Sequence, residues 1–285
     1  MREFKNISWL AAFIYVFCLV MVNFNSVENA DIENNKYLRH QLKQVGEMPG
    51  NKSFVIYGSS GVLVGLSARV FDQKTGYQSL NLSTAGQGGQ LNKFIELVSR
   101  PENKGKVLIL GDRRYRSQMP LNEVQPQIVT ILKTFSLLVS IRDLLNPRMQ
   151  RDEYGDFATY PSRYFEIPKT TTKPNYSELN LNLMKAQVDA ALKGGLCPIL
   201  AYVPLLVSND SVSAHLAATE ELNASVREAG IEQYVAFTPM IETDKSLFMD
   251  IPHMSETGRE KWTRVLISEI TSRKMCGVTA MKVTQ

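Results

Sequence analysis

The chain is expected to be an α/β protein built on a parallel sheet, and two observations carry that expectation. From residue 50 onward, short apolar runs alternate with longer stretches of helical amphipathic spacing, the pattern of strands covered by helices on both faces. The composition, 285 residues with 44% hydrophobic and 21% charged, is enough to bury a full core in one large domain or two small ones. One core domain is the simpler reading, because there is no repeat of 20 to 50 residues and no low-complexity block. The net charge of +4 arises from 32 basic against 28 acidic residues, with no run of five like charges, so nothing in it favours a nucleic-acid partner.

The elements follow in order. Residues 1–6 precede an almost wholly apolar segment, Ile7 to Phe24, whose length as a helix is about 27 Å, close to the roughly 30 Å of a bilayer core. Arg2 and Lys5 before it, and Glu28, Asp31 and Glu33 after it, orient a single-pass anchor with the remaining chain outside the cytoplasm. Cleavage as a signal peptide is the alternative, but Glu28 and Ala30 before Asp31 fit a small-x-small site poorly, so the uncleaved anchor is preferred. Cys18 has no small residue before it to mark a lipid-attachment site. Residues 25–50, polar and rich in Asn, Gln and Glu, read as a stalk, residues 51–274 as the folded domain, and residues 275–285 as a tail.

Within the domain, strands are expected at Phe54 to Tyr57, Ser79 to Leu82, Lys106 to Leu110, Pro198 to Pro204 and Tyr234 to Phe237. Helices are expected at about 62–72, 88–99, 124–145, 177–193, 212–229 and 255–272. Residues 146–176, rich in Arg, Tyr and Pro, are too long for an ordinary connection and read as an insertion, either a lid or a plain surface loop. Cys197 and Cys276 either bridge, tying the tail down, or stand as two small unpaired hydrophobes. No Cys/His spacing fits zinc and no Asp/Glu spacing fits a calcium loop, so no metal is expected. Sequons occur at Asn51, Asn81, Asn175, Asn209 and Asn223, with Asn81 at a strand end.

Chemistry is expected at the carboxyl ends of the strands. There the first run, "FVIY", stops at Gly58-Ser59-Ser60 and passes into a helical pattern. A serine at such a turn is an ordinary helix cap, or a nucleophile beside backbone N–H groups suited to a developing negative charge. A nucleophile needs a base, and the chain has three histidines. His40 falls in the stalk and His215 in a helix without a supporting pattern. His253 is different: Asp250 precedes it by three residues on a turn containing Pro252, and Ser255 is placed to cap the next helix. An Asp in that position holds the imidazole tautomer whose other nitrogen accepts a serine proton.

Taken together, Gly58-Ser59-Ser60, the "NLSTAGQGG" that follows the second strand, and Asp250-Ile251-Pro252-His253 before the last helix resemble the SGNH/GDSL hydrolase superfamily, particularly its envelope-anchored bacterial members. The resemblance covers roughly residues 52–273. It implies a flavodoxin-like three-layer sandwich with about five parallel strands. It also implies Ser60 as nucleophile, His253 as base, Asp250 as its orienting partner, and the backbone N–H groups of Gly86 and Ser60 as the oxyanion hole. Two departures stand out. Ser59 replaces the usual Asp and is a rival nucleophile, and "VLILGDRRYRSQ" lacks the Asn that follows the family's third strand, with Arg113 or Arg114 nearby either as replacement charge or, the preferred reading, simply solvated.

By that resemblance the chain is expected to be a serine esterase that needs no cofactor, held by one transmembrane helix in the cytoplasmic (inner) membrane with its domain on the periplasmic side. Its expected substrate is an acylated carbohydrate or other ester, with the O-acyl groups of an envelope or exported polysaccharide as the expected target. An O-acyltransferase with the same Ser-His-Asp site, and a non-catalytic scaffold of a polysaccharide export machine, are the alternatives.

Overall fold

The structure, a computed structural model, describes residues 36–50, 52–83, 91–111, 151–156, 178–250 and 253–279. The predicted anchor at 7–24, the helix expected at 124–145 and most of the insertion lie outside them. Among the described residues no helix is long and apolar enough to cross a membrane.

Five strands form one parallel sheet: β1 (Ser53–Gly58), β2 (Gln78–Asn81), β3 (Val107–Gly111), β4 (Cys197–Ala201) and, at its far edge, β6 (Val235–Ala236). Their spatial order is β2-β1-β3-β4-β6. Registers such as Gly58 opposite Gly111 and Gly111 opposite Ala201 bring the ends of the three central strands level. β1 and β3 are buried at every position, as strands covered on both faces must be. That is why they read as continuous apolar runs.

Alternate residues of each strand enter two separate cores. On one face Val55, Tyr57, Leu108, Leu110 and Leu200 pack with α1 (Lys36–Glu47), α4 (Leu91–Val98), α5 (Glu178–Lys193) and α6 (Val212–Glu228). On the other, Phe54, Ile56, Ile109 and Ile199 pack with α2 (Ser60–Gly65), α3 (Ala68–Thr75) and α7 (Glu256–Ser272). Two small ribbons complete the described part: β5 (Leu205–Leu206) beside β7 (Ile241–Glu242), and β8 (Phe248–Asp250) antiparallel to β9 (His253–Met254).

Three differences from the sequence reading have physical causes. The helix expected at 62–72 is two helices, because Ser67 caps a new start: its Oγ accepts from Val70 N while its own N–H donates to Thr263 Oγ1 at 3.0 Å. Residues 36–47, inside the stretch expected as a stalk, form α1 and bury Val45 together with Met48 just after it, an amphipathic face masked by the polar average. Cys197 and Cys276 are bonded, their Cα atoms 5.8 Å apart, so the turn after α7 is tied to the start of β4.

Within the insertion, residues 151–156 lie against the outer edge of β2. Asn81 N donates to Tyr154 O at 2.8 Å, and Arg69 pairs with Asp152 at 2.7 Å. The opposite edge is closed by side chains: Arg273 donates to Val235 O and Glu232 O, both at 2.6 Å, and Glu269 accepts from Phe237 N. Covered edges of this kind deny other chains a template for strand pairing.

Candidate active site

β1 ends at Gly58, Ser59 stands at the N-cap of α2, and Ser60 is its first helical residue. The cap is made by backbone alone, with Val62 N and Leu63 N donating to Ser59 O at 2.9 and 3.0 Å. The Ser59 side chain makes no cap bond, and its buried Oγ has no partner among the described residues. An unpaired buried hydroxyl costs about 1–3 kcal/mol, so helix capping does not account for the side chain at this position. Ser60 is half-buried at the carboxyl edge of the sheet.

Close approach explains the glycines around it. A Cβ on Gly58 would strike Gly111 O and lie 2.6 Å from Val62 Cγ2, so α2 rests directly on the ends of β1 and β3. At its other end, a Cβ on Gly65 would lie 2.7 and 2.9 Å from two ring carbons of Trp262. α2 is thereby wedged between the sheet and α7, and it packs against β9, the strand that carries His253.

Asp250 closes β8 and His253 opens β9, with residues 251 and 252 outside the described part. His253 Nδ1 donates to the Asp250 carboxylate at 2.9 Å, and His253 N donates to Asp250 Oδ1 at 3.0 Å. With Nδ1 protonated, the neutral ring presents Nε2 as a proton acceptor. The two side chains are 29% and 48% exposed, so the pair is open to a ligand. Ser255, whose Oγ accepts from Gly258 N at 3.2 Å, caps α7 just beyond.

The structure therefore brings the elements of Ser60, Asp250 and His253 to one side of the sheet edge and bonds the last two. Among the described residues no hydrogen bond joins Ser60 to His253. Gly86, Asp112, Arg113 and Arg114 lie outside the described residues.

Two residues beside this edge have no role of their own in the sequence reading, where they occur only within "NLSTAGQGG" and as a sequon. Asn81, fully buried, donates from Nδ2 to Leu66 O and accepts Ser83 N at Oδ1, each at 3.0 Å. Ser83 is also fully buried, and its Oγ has no partner among the described residues. The available signal was the strand-end position of "NLS", where an apolar pattern yields to polar residues of no evident role.

No family model, curated protein or solved structure matches this chain.

Proposed function

We propose that the chain is an extracytoplasmic serine esterase of the SGNH type, acting through an acyl-enzyme. The observation that carries the reading is the Asp250–His253 bond at 2.9 Å on a ribbon packed against the helix that begins with Ser60. The order β2-β1-β3-β4-β6 adds support. It is the doubly wound, flavodoxin-like order, in which ligands gather where the winding reverses, between the ends of β1 and β3, and Ser60 follows β1 there.

In this mechanism His253 Nε2 takes the Ser60 proton as Oγ attacks an ester carbonyl. The imidazolium, held by Asp250, returns that proton to the leaving alcohol. Water, deprotonated by the same nitrogen, then attacks the acyl-serine; the acyl–oxygen bond breaks, the acid leaves, and the proton returns from Nε2 to Ser60 Oγ. The N–H groups of Ser60 and Gly86 stabilise the two oxyanions. O-acyl groups of an envelope or exported polysaccharide are the proposed substrates, on the family resemblance alone. An acyltransferase replaces that water with a sugar hydroxyl and uses the same residues. The Cys197–Cys276 bond supports the extracytoplasmic side, since disulfides persist in oxidising compartments.

A second reading, a non-catalytic envelope scaffold, is favoured by one feature: Gly111 ends the third strand with no Asn after it, and loss of such a donor costs on the order of 10²- to 10³-fold in rate. The deciding experiment treats the full chain with a fluorophosphonate and locates the adduct by peptide mass spectrometry. Labelling at Ser60 is expected, abolished in Ser60→Ala and slowed by about 10²- to 10⁴-fold in His253→Ala. A folded wild type that takes no label sinks the esterase and leaves the scaffold.

A further inference from the structure

Building on that reading, we propose that Asn81 is a positioning residue of the site, its carboxamide fixing the course of the loop after β2 relative to the helix of Ser60. Asn81 is the last residue of β2 and is fully buried. The β1–β2 ladder ends just beyond it, with Leu82 N donating to Ile56 O at 2.8 Å. The next N–H, that of Ser83, has no strand to pair with, and Asn81 Oδ1 accepts it. On the other side, Nδ2 donates to the carbonyl of Leu66, the residue that closes α2.

One planar amide thus joins the start of the second loop to the end of the nucleophile's helix. The task needs a donor and an acceptor on one short, rigid group. Asp offers only acceptors, Ser is too short to reach both, and Gln adds a methylene that a close-packed interior tolerates poorly. In buried surroundings each bond is strengthened, and losing either leaves a backbone group unpaired. The backbone of the same residue meets the insertion, through Asn81 N to Tyr154 O and Arg151 Nη1 to Asn81 O at 3.5 Å. Ser60 lies six residues before Leu66, and Gly86 lies three after Ser83. Asn81 therefore ties Ser83, the last described residue before the second loop, to the end of the helix that Ser60 begins. Its burial also closes the Asn81-Leu82-Ser83 sequon to a glycan once the chain has folded.

The test compares wild type, Asn81→Asp and Ser79→Ala as full chains, each first shown by a melting curve to be folded. Asp keeps the acceptor for Ser83 N and removes the donor to Leu66 O. Ser79, buried on the same strand with its Oγ donating to Tyr77 O, controls for general weakening of β2. Two readouts are followed: the rate of fluorophosphonate labelling at Ser60, and amide exchange in peptides spanning 79–90. The expected result is labelling about 10²-fold slower in Asn81→Asp, the scale of a small misplacement of reacting groups, with faster exchange there and neither change in Ser79→Ala.

Labelling of Asn81→Asp at the wild-type rate overturns the positioning role and leaves the esterase standing. Equal slowing in Ser79→Ala overturns it as well, since strand weakening then accounts for the loss. A folded wild type that takes no label overturns the esterase, and with it the catalytic meaning of Asn81. Should Asn81→Asp fail to fold, Asn81→Ser, which likewise loses the amide donor, replaces it under the same criteria.

Discussion

Asp156 shows how a single side chain joins the insertion to the core. It is buried, and its carboxylate accepts from Ser67 Oγ at 2.6 Å, Ala68 N at 2.8 Å and Arg69 N at 3.2 Å, closing the first turn of α3 from a segment 88 residues away. Burial raises its pKa above the ordinary carboxylate value, outweighing these bonds and the nearby Arg259, which act to lower it. In the window between the ordinary and the raised value, the folded state holds a proton that the unfolded state has released. The Asp156 contribution to stability therefore increases as pH falls through that window. Melting curves are expected to show wild type gaining on Asp156→Asn as pH falls there, and a shrinking difference would mean that the ion is the favoured form. At neutral pH, Asp156→Ala, which strands three donors, is expected to cost about 3 kcal/mol in denaturant unfolding.

At the scale of elements, the site depends on how α2 is gripped. This helix is only six residues long, too short to hold itself, and its stability comes from packing. Val62 sits on the glycine ends of β1 and β3, and Gly65 meets the ring of Trp262. Gly65→Ala forces a methyl against that ring and is expected to cost about 1–3 kcal/mol, roughly 2–10 °C in melting temperature, while slowing Ser60 labelling as α2 shifts. Adding Trp262→Phe, which removes the two ring carbons in the way, is expected to recover part of both. Strict additivity of the two changes in a double-mutant cycle would contradict the contact. None of this was visible in "GSSGVLVG", where the glycines read as turn and helix residues and their partners lie far along the chain.

For the whole molecule, the Cys197–Cys276 bond closes a loop of 79 residues and pins the C-terminal turn beside β4. That turn is strained, with Lys274 and Cys276 at φ +51° and +54°, a region that costs an L-residue about 1–2 kcal/mol. Replacing both cysteines by serine is expected to lower stability by about 2–4 kcal/mol in urea unfolding. Equal midpoints for wild type with and without a reductant would show that the bond is not formed.

The sequence by itself determined the layered α/β plan, because the period of burial is written into each segment: unbroken apolar runs for strands covered on both faces, and helical spacing for their covers. It also determined the Asp250–His253 pair, since a bond between residues three apart is a local matter. Tertiary structure alone decided that α2 and α3 are separate helices, that α1 joins the core, that the two cysteines meet, and that Asn81 and Asp156 link distant segments. The reason is the same in each case: these features are satisfied by partners from 15 to nearly two hundred residues away, such as Leu66 for Asn81 and Thr263 for Ser67, and chain distance leaves no periodic trace of them.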